Sequence, residues 1–350
     1  MNSAMTSIER VFTALGHAEP DRVPVFLLVT MHGAKELGLG LREYFSKAEH
    51  VVEGQLRLRA KYGHDCLLPF FYGAVEYEAF GGQAVFSDDG PPNAGAPVIR
   101  SREDIFALEL PDIRRDPRLQ MGLEATRRLV EAAAGQVPVV GTVIGPYSLP
   151  VMLMGFESYL DLLHDDPLAF ERLMVVTSRF CVDWANAQIA AGATAVGCAE
   201  PLAAVNLTER GLFMCTGHPV IADTISKIQG AVALSLASGR ALGRIDTYVG
   251  LGAAALAVSN QESLAELKRQ CAGRLPILGN LNGVAMVSWT PEQARQQVRA
   301  CIQAAAPGGG FVLADTHGEI PFHVADDVLA AIMQAAHEWG RYPIEPCCDV

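Results

Sequence analysis

No short motif of the common nucleotide-binding or hydrolytic folds occurs in this sequence of 350 residues. It lacks the Gly-x-Gly-x-x-Gly fingerprint of dinucleotide-binding folds, the phosphate-binding P-loop and the Gly-x-Ser-x-Gly nucleophile elbow. Apolar runs approaching the ~20 residues of a membrane span are also absent, and Met1–Arg10 does not resemble a secretory signal. We therefore expect a cytoplasmic protein that does not enter the membrane.

Positive charge is scarce as well. Only 27 lysines and arginines stand against 39 aspartates and glutamates, which gives a net charge of −12. Because nucleic acids are bound through clustered Lys and Arg, and no such cluster occurs, we expect no nucleic-acid partner. Charged residues make up 19% of the chain and hydrophobic residues 50%, so the chain can bury a large core and should be globular.

The cysteine pattern lacks the paired spacing of zinc sites. His64-Asp65-Cys66 and Cys215-Thr216-Gly217-His218 each supply half of such a site, but neither has a second pair at a suitable distance. Free cysteine is among the most buried residue types, so most of the eight thiols are expected in the core. These residues predict no metal site.

The chain does contain a repeated alternation of short apolar runs with helix-length segments. In residues 119–340 the runs are Val137–Ile144, Thr194–Gly197, Ala231–Leu236, Ala254–Val258, Ile277–Gly279 and Phe311–Leu313. Two earlier runs, Val23–Val29 and Cys66–Phe70, bring the strand candidates to about eight. Parallel strands need crossovers of this length, and eight strand-helix units close into a barrel.

This pattern predicts an α/β fold, a (β/α)8 TIM barrel with an N-terminal elaboration, in a single domain over residues 1–350. Residues 1–118 would hold the first helices, the first strands and a hairpin-like excursion at Gly81–Val98. Residues 119–340 would hold the regular strand-helix units. The barrel is favoured over an open doubly wound sheet because polar residues follow nearly every strand instead of clustering at one switch point.

Polar side chains at the predicted strand ends would meet at one mouth of such a barrel, where active sites lie. The glycine-rich residues 308–310 lead into the last strand, which is predicted to end in a turn carrying Asp315, His317 and Glu319. A facing carboxylate and imidazole suit proton transfer, so we predict His317, Glu319 and Glu200 as catalytic residues. The predicted substrate-binding residues are His32, Tyr147, Cys198, Ser238, Asn260, Asn280 and Asp315.

A structural interpretation of some of these residues stays open. Short polar residues after a strand are also ordinary turn and helix-capping residues. This alternative applies above all to Ser259, Asn260 and Asn282. It applies less to Glu200 and His317, because a carboxylate and an imidazole flanked by apolar strands need partners.

Several segments along nearly the whole chain match the motifs of one known superfamily. They are Glu9-Arg10, Asp21-Arg22-Val23-Pro24-Val25, the run from Val140 to Tyr147, Gly155-Phe156-Glu157, Gly192-Ala193, Glu200-Pro201, the run from Leu278 to Leu281, the run from Gly309 to Leu313, and Glu319-Ile320-Pro321. Through them the sequence resembles the uroporphyrinogen decarboxylase superfamily, on the side that includes corrinoid-protein methyltransferases. The resemblance implies a TIM barrel with its substrate at the mouth.

The thiol-methylating members of that superfamily bind zinc, and the resemblance shows where their ligands would fall. They use a His-x-Cys after one strand and a Cys after the Gly-Gly-Phe strand. The corresponding positions here hold Leu236, Ser238, and either His317 or Gly318. Two of the three ligands are missing, so the resemblance does not imply a zinc-bound thiolate nucleophile.

The decarboxylases of the superfamily hold an octa-anionic tetrapyrrole with an arginine-rich segment and an aspartate after the next strand. Here the corresponding segments read Thr30-Met31-His32-Gly33-Ala34-Lys35 and Phe70-Phe71-Tyr72-Gly73. Without those charges such a substrate would not be held. Only His317-Gly318 is similar to the decarboxylase pattern.

The resemblance therefore favours a methyltransferase that moves a methyl group between a small substrate and a corrinoid (cobalamin) cofactor or a corrinoid protein, without a zinc-thiolate site. A decarboxylase acting on a smaller carboxylate substrate, with His317 as proton donor, is an alternative. A non-catalytic barrel that binds cobalamin or a tetrapyrrole is a second one. The oligomeric state stays open, a homodimer included.

Overall fold

Seven strands form one parallel sheet in the computed structural model, which describes residues 5–345. The strands are β1 (Val25–Phe26), β2 (Val140–Ile144), β3 (Ala195–Ala199), β4 (Ala231–Ser235), β5 (Ala255–Ala257), β6 (Ile277–Asn282) and β7 (Phe311–Thr316). Their order is β1-β7-β6-β5-β4-β3-β2, so β1 and β2 are the two edges. Each pair of neighbours runs parallel.

Residues 65–67 lie between these two edges and close the sheet into a barrel. On one side the Asp65 N–H donates to the Val25 carbonyl at 2.8 Å. On the other side Leu67 pairs in parallel with Val139, and its N–H donates to the Pro138 carbonyl at 2.9 Å. The predicted α/β barrel is therefore confirmed.

The prediction of a strand at Cys66–Phe70 is wrong: only Leu67 forms a β-bridge there. The N–H of Leu68 donates to the side-chain oxygen of Gln55 at 3.2 Å instead of to a neighbouring strand. Pro69 follows, and it has no N–H to donate. The backbone at this barrel position is therefore held by one bridge and by side chains.

Other strand ends also differ from prediction. The predicted run Val23–Val29 gives only the two-residue β1, since the Val25 N–H is taken by the Asp65 carboxylate at 2.8 Å. Strands β6 and β7 are longer than predicted because they pair along six successive residues. Asp315 and Asn280 consequently lie inside strands, and not in the turns that follow them.

Helices surround the barrel. Those before β3 are α1 (Ser7–Leu15), α2 (His32–Leu37), α3 (Leu41–Tyr44), α4 (Ala48–Tyr62), α5 (Ala74–Ala79), α6 (Arg102–Ala107), α7 (Pro117–Ala133), α8 (Leu149–Met154), α9 (Phe156–Asp165) and α10 (Pro167–Ala190). Those after β3 are α11 (Arg210–Cys215), α12 (Gly217–Lys227), α13 (Ile245–Val249), α14 (Leu264–Cys271), α15 (Pro291–Ala305) and α16 (Asp326–Trp339). Short 3₁₀ turns occupy Pro201–Ala203 and Ala285–Ser288.

The start signals in the sequence account for several of these helices. Thr6 and Thr290 cap α1 and α15 in capping boxes. Asp166-Pro167 starts α10, with the Asp166 side chain accepting from the Ala169 N–H at 3.1 Å. Gly155, whose φ is 87°, ends α8 and separates it from α9.

Residues 81–98 leave the barrel wall as a hairpin. Val85 and Asn93 pair antiparallel, with N–H to carbonyl distances of 2.8 and 3.0 Å. The hairpin reaches the segment that follows β7, where His323 Nε2 lies 3.1 Å from the Asp89 carboxylate. It therefore lies at the end of the barrel onto which the strands open.

The strands and helices bury one apolar core. Five of the six cysteines in residues 5–345 are buried, as predicted, and Cys215 is exposed. Cys347 and Cys348 lie outside the described residues. Across the described part of the chain, no helix is both long and apolar enough to cross a membrane.

Asp65 carries a buried ion-pair network at the opposite end of the barrel. Its carboxylate accepts from Arg10 Nη1 at 2.7 Å, from Arg22 Nη1 at 2.7 Å and from the Ser7 hydroxyl at 2.9 Å. Although burial alone would raise the pKa of Asp65, the guanidiniums of Arg22 and Arg10 outweigh it and hold the pKa below its usual value. The network joins α1 and the segment before β1 to the residues that close the barrel.

Replacing Asp65 with Asn should lower the free energy of unfolding by about 3–5 kcal/mol at pH 7, because Arg22 loses its carboxylate partner and the buried Arg10 keeps only Asp21. Urea denaturation measures the change. The difference from wild type should shrink as the pH falls through the lowered pKa of Asp65, since the wild-type group is then neutral too. The control is Asp112→Asn, whose arginine partners have side chains 91% and 89% exposed. That substitution should cost at most about 1 kcal/mol, and an equal loss in both variants would contradict the assignment.

Candidate active site at the barrel mouth

The loop after β7 carries three of the predicted residues to the mouth of the barrel. Asp315 lies near the end of β7, and its Oδ1 accepts the Leu28 N–H at 2.8 Å. The chain returns at Ile320, whose N–H donates to the Leu28 carbonyl at 3.1 Å. The backbone of one residue after β1 thus holds both ends of the loop, and His317 and Glu319 lie between these two bonds.

His317 adopts a backbone conformation that L-residues rarely take. Its φ is 85°, and the following Gly318 has a φ of 101°. A non-glycine residue in this region carries strain of roughly 1–3 kcal/mol, and such residues cluster at functional sites. The side chain is fixed by a short hydrogen bond between His317 Nδ1 and the Ser238 hydroxyl. Among the described residues its Nε2 has no hydrogen-bond partner, although it is buried.

Ser238 is itself held by a chain of hydrogen bonds from two other strand ends. The Ser259 hydroxyl donates to the Ser238 carbonyl at 3.0 Å. The Asn280 side-chain amide in turn donates to the Ser259 carbonyl at 2.9 Å. The ends of β4, β5, β6 and β7 are therefore linked to the orientation of His317.

Burial sets the charge of the loop. It raises the pKa of Asp315 to about 7, and the neighbouring Glu319 carboxylate adds to the rise. Burial also raises the pKa of Glu319 and lowers the pKa of His317. Near neutral pH the loop therefore carries carboxyl groups that retain a proton more readily than usual, together with an imidazole that is mostly neutral. Such a set can donate one proton and accept another.

Glu200 is fully buried and points into the loop that follows β2. Its carboxylate accepts the Tyr147 N–H at 3.0 Å and the Ser148 hydroxyl at 2.6 Å. Burial raises its pKa to about 7 despite these bonds. A Cβ at Gly145 would lie 2.1 Å from its Oε1, so only glycine fits there. The structure thus gives Glu200 contacts that orient the loop after β2.

Two other predicted residues face the helix layer. The ring of Tyr147 packs against Phe213, with centroids 6.2 Å apart, and its hydroxyl lies 3.0 Å from the Thr216 hydroxyl. The Cys198 thiol is buried beside Cys181 of α10. Side chains alternate between the two faces of a strand, so a position near a strand end does not show whether a residue faces the barrel interior or the helices.

The remaining predicted residues lie at the margins of the mouth. His32 begins α2 and is buried, with its ring 6.5 Å from that of Phe322; burial lowers its pKa to about 3, so it is neutral. Asn260 and Asn280 line a depression of about 450 Å³ against α15, together with Trp289. The structure therefore places Asp315, His317 and Glu319 on one loop with Ser238 bonded to His317, and Asn280 is joined to Ser238 through Ser259.

Two residues that support the site were not predicted from the sequence. Ser259 was interpreted as a turn residue, yet it is fully buried and supports Ser238. Leu28 contributes only its backbone groups, so its side-chain type gave no sign of this role in the sequence. For Ser259, the available sequence signal was the Ser259-Asn260 pair, which follows β5 after one residue.

The mouth does not offer the donor set of a zinc-thiolate centre. Leu236 is buried and apolar, and the Ser238 hydroxyl is engaged with His317. Within residues 5–345, no group of three or more His, Cys, Asp or Glu side chains is arranged to hold a metal ion.

Comparison with known proteins identifies the family. The family model for uroporphyrinogen decarboxylase (URO-D) matches residues 6–339. The chain belongs to the uroporphyrinogen decarboxylase family. The uroporphyrinogen decarboxylase of Chromohalobacter salexigens is 24% identical over 94% of this chain and 97% of its own length. That of Nitrosococcus oceani is also 24% identical, over 94% of this chain and 96% of its own.

A solved structure shares the fold at full length. A methyltransferase from Methanosarcina mazei superposes with a TM-score of 0.85 at 20% identity, covering 95% of this chain and 99% of the other. Similarity at this identity establishes the shared barrel only. The family model and the curated relatives thus carry the name of a decarboxylase, while the solved structure with the same barrel carries the name of a methyltransferase.

Replacing Glu200 with Gln tests the burial of this carboxyl group. A carboxyl group with a raised pKa in the folded state stabilises the fold below its unfolded pKa, and this contribution is lost as the pH rises through the folded value. The variant, which never ionises, should therefore gain about 2 kcal/mol relative to wild type between pH 5 and pH 8. Urea denaturation at both pH values measures it. Glu157→Gln, at an exposed position in the first turn of α9, is the control; a flat difference for Glu200→Gln would contradict the prediction.

Proposed function

We propose that this member of the uroporphyrinogen decarboxylase family is a cytoplasmic methyltransferase that moves a methyl group between a small substrate and a corrinoid cofactor or corrinoid protein. The observation that carries the proposal is the loop after β7, where Ser238 orients His317 and where Asp315 and Glu319, two residues away on either side in the chain, are carboxyl groups whose pKa burial raises. The name of the Methanosarcina mazei structure, a methyltransferase, supports it.

Demethylation of an ether or amine requires a proton for the leaving heteroatom. As the bond from the methyl carbon to the heteroatom breaks, the heteroatom keeps the electron pair and takes a proton from the Asp315 or Glu319 carboxyl group. His317, oriented by Ser238, holds the substrate or returns the proton to the carboxylate. Glu200 acts as a positioning residue through the loop after β2, and not by touching the substrate.

The residues around the mouth fit a corrinoid or a corrinoid protein in one respect. Exposed apolar side chains follow β3 and β6: Leu207 is 42% exposed, Val284 61% and Val287 51%. A large partner with an apolar edge would cover them. When bound, the corrinoid supplies the group that accepts or donates the methyl group.

A decarboxylase acting on a smaller carboxylate is the second candidate. The names of the curated relatives favour it, as does the His317-Gly318 pair that is similar to the decarboxylase pattern. The acidic character of the loop after β7 argues against a polyanionic substrate, because Asp315 and Glu319 would repel it once ionised. A non-catalytic corrinoid-binding barrel would leave its ligand unchanged.

Replacing His317 with Gln should reduce methyl transfer about a hundredfold, since a positioned acid-base group contributes that much or more. The assay follows the visible spectrum of cobalamin, reduced or methylated, with methyl ethers and methylamines as partners. His323→Gln is the control, because His323 is exposed on the same segment and pairs only with Asp89. Release of CO₂ from candidate acids with no change in the cobalamin spectrum would replace the proposal with the decarboxylase.

A further inference from the structure

A groove of about 690 Å³ lies beneath the hairpin of residues 81–98, and none of the predicted site residues lines it. Its walls include Arg42, Tyr77, Phe86 and Arg100. Pockets that bind small organic ligands span roughly 300–1,000 Å³, so the groove has a suitable size. It shares no lining residue with the loop after β7 and is not explained by the proposed reaction.

The guanidinium of Arg42 is the distinctive group in the groove. Its Cζ atom lies 4.4 Å from the centroid of the Phe86 ring. Among the described residues it makes neither an ion pair nor a hydrogen bond. Arg42 is exposed at the surface, so its N–H groups are accessible to a ligand.

The stacked position leaves the donors of Arg42 available. A guanidinium above an aromatic ring uses its flat face, while its five N–H groups point outward in the plane. This planar edge matches the paired oxygens of a carboxylate or phosphate. Arg100 adds a second cation to the wall, and its Nε donates to the Pro97 carbonyl at 3.1 Å.

The hairpin side of the groove is preformed. The Tyr77 hydroxyl donates to the Ala96 carbonyl at 2.6 Å and so ties the ring to the second strand of the hairpin. A Cβ at Gly82 would lie 2.2 Å from the Tyr77 ring, so the backbone there packs directly on the ring. A binding surface that is already ordered loses less entropy when a ligand arrives.

We propose that this groove binds an organic anion in which a phosphate or carboxylate is attached to a flat apolar group. Arg42 and Arg100 pair with the anion. The apolar part lies along Phe86 and Val85, whose side chain is 60% exposed. The groove carries two guanidinium groups, whereas the loop after β7 carries two carboxyl groups, so an anion is favoured in the groove.

Calorimetric titration with phenyl phosphate at fixed ionic strength tests the groove. Wild-type protein should bind phenyl phosphate and not phenol, and Arg42→Gln should weaken binding about tenfold or more. Arg102→Gln is the matched control: Arg102 also lies over a phenylalanine ring, at 4.6 Å, but it pairs with Asp166 and is not in the groove. It should bind as wild type does.

Further titrations separate the two anion types and guard against misfolding. Benzoate in place of phenyl phosphate shows whether a carboxylate or a phosphate is preferred. Arg42→Lys keeps the charge but loses the planar pair of donors, so it should bind with intermediate affinity. Absence of binding by wild type, equal affinity of wild type and Arg42→Gln, or equal binding of phenol would overturn the proposal. None of these results depends on whether the mouth transfers methyl groups.

Discussion

The ion pairs of Asp65 are the constraint on which the rest of this barrel depends. A parallel barrel must close its sheet, and here residues 65–67 make one backbone hydrogen bond to Val25 on one side and two, to Pro138 and Val140, on the other. Asp65 strengthens this closure by using both its backbone and its carboxylate on Val25, while Arg10 and Arg22 neutralise the buried charge. Closure of the barrel therefore depends on buried ion pairs, because few strand hydrogen bonds form at this position.

Strand β1 connects this closure of the barrel to the mouth. Val25 begins this strand at the closed end, and Leu28, three residues later, holds both ends of the loop that carries His317. A shift of β1 would move the two bonds that fix Asp315 and Ile320. The geometry of the candidate site is thus linked to an ion-pair network at the far end of the barrel. A strained residue such as His317 can persist only where its surroundings are fixed in this way.

The sequence determined the fold more fully than it determined the site. Apolar runs that alternate with helix-length segments are local signals, and they predicted the barrel and the stretch that became β7. The structural role of Asp65 could not be predicted from the sequence. Its neighbours His64 and Cys66 have the spacing of a metal-binding pair, and its arginine partners come from other segments of the chain. Position at a strand end also could not show that Tyr147 and Cys198 turn toward the helices, since one residue of register reverses the face.

The charge of the mouth follows from what surrounds the carboxyl groups. A buried carboxyl beside an arginine would be ionised and would hold a cation or a proton donor, as Asp65 does. Asp315 has no cationic partner: its only described side-chain hydrogen bond comes from the Leu28 N–H, and burial keeps its proton on to about pH 7. The fold therefore contains two buried aspartates whose pKa values are shifted in opposite directions. The pairing of one stabilises the barrel, and the isolation of the other leaves a proton available at the mouth.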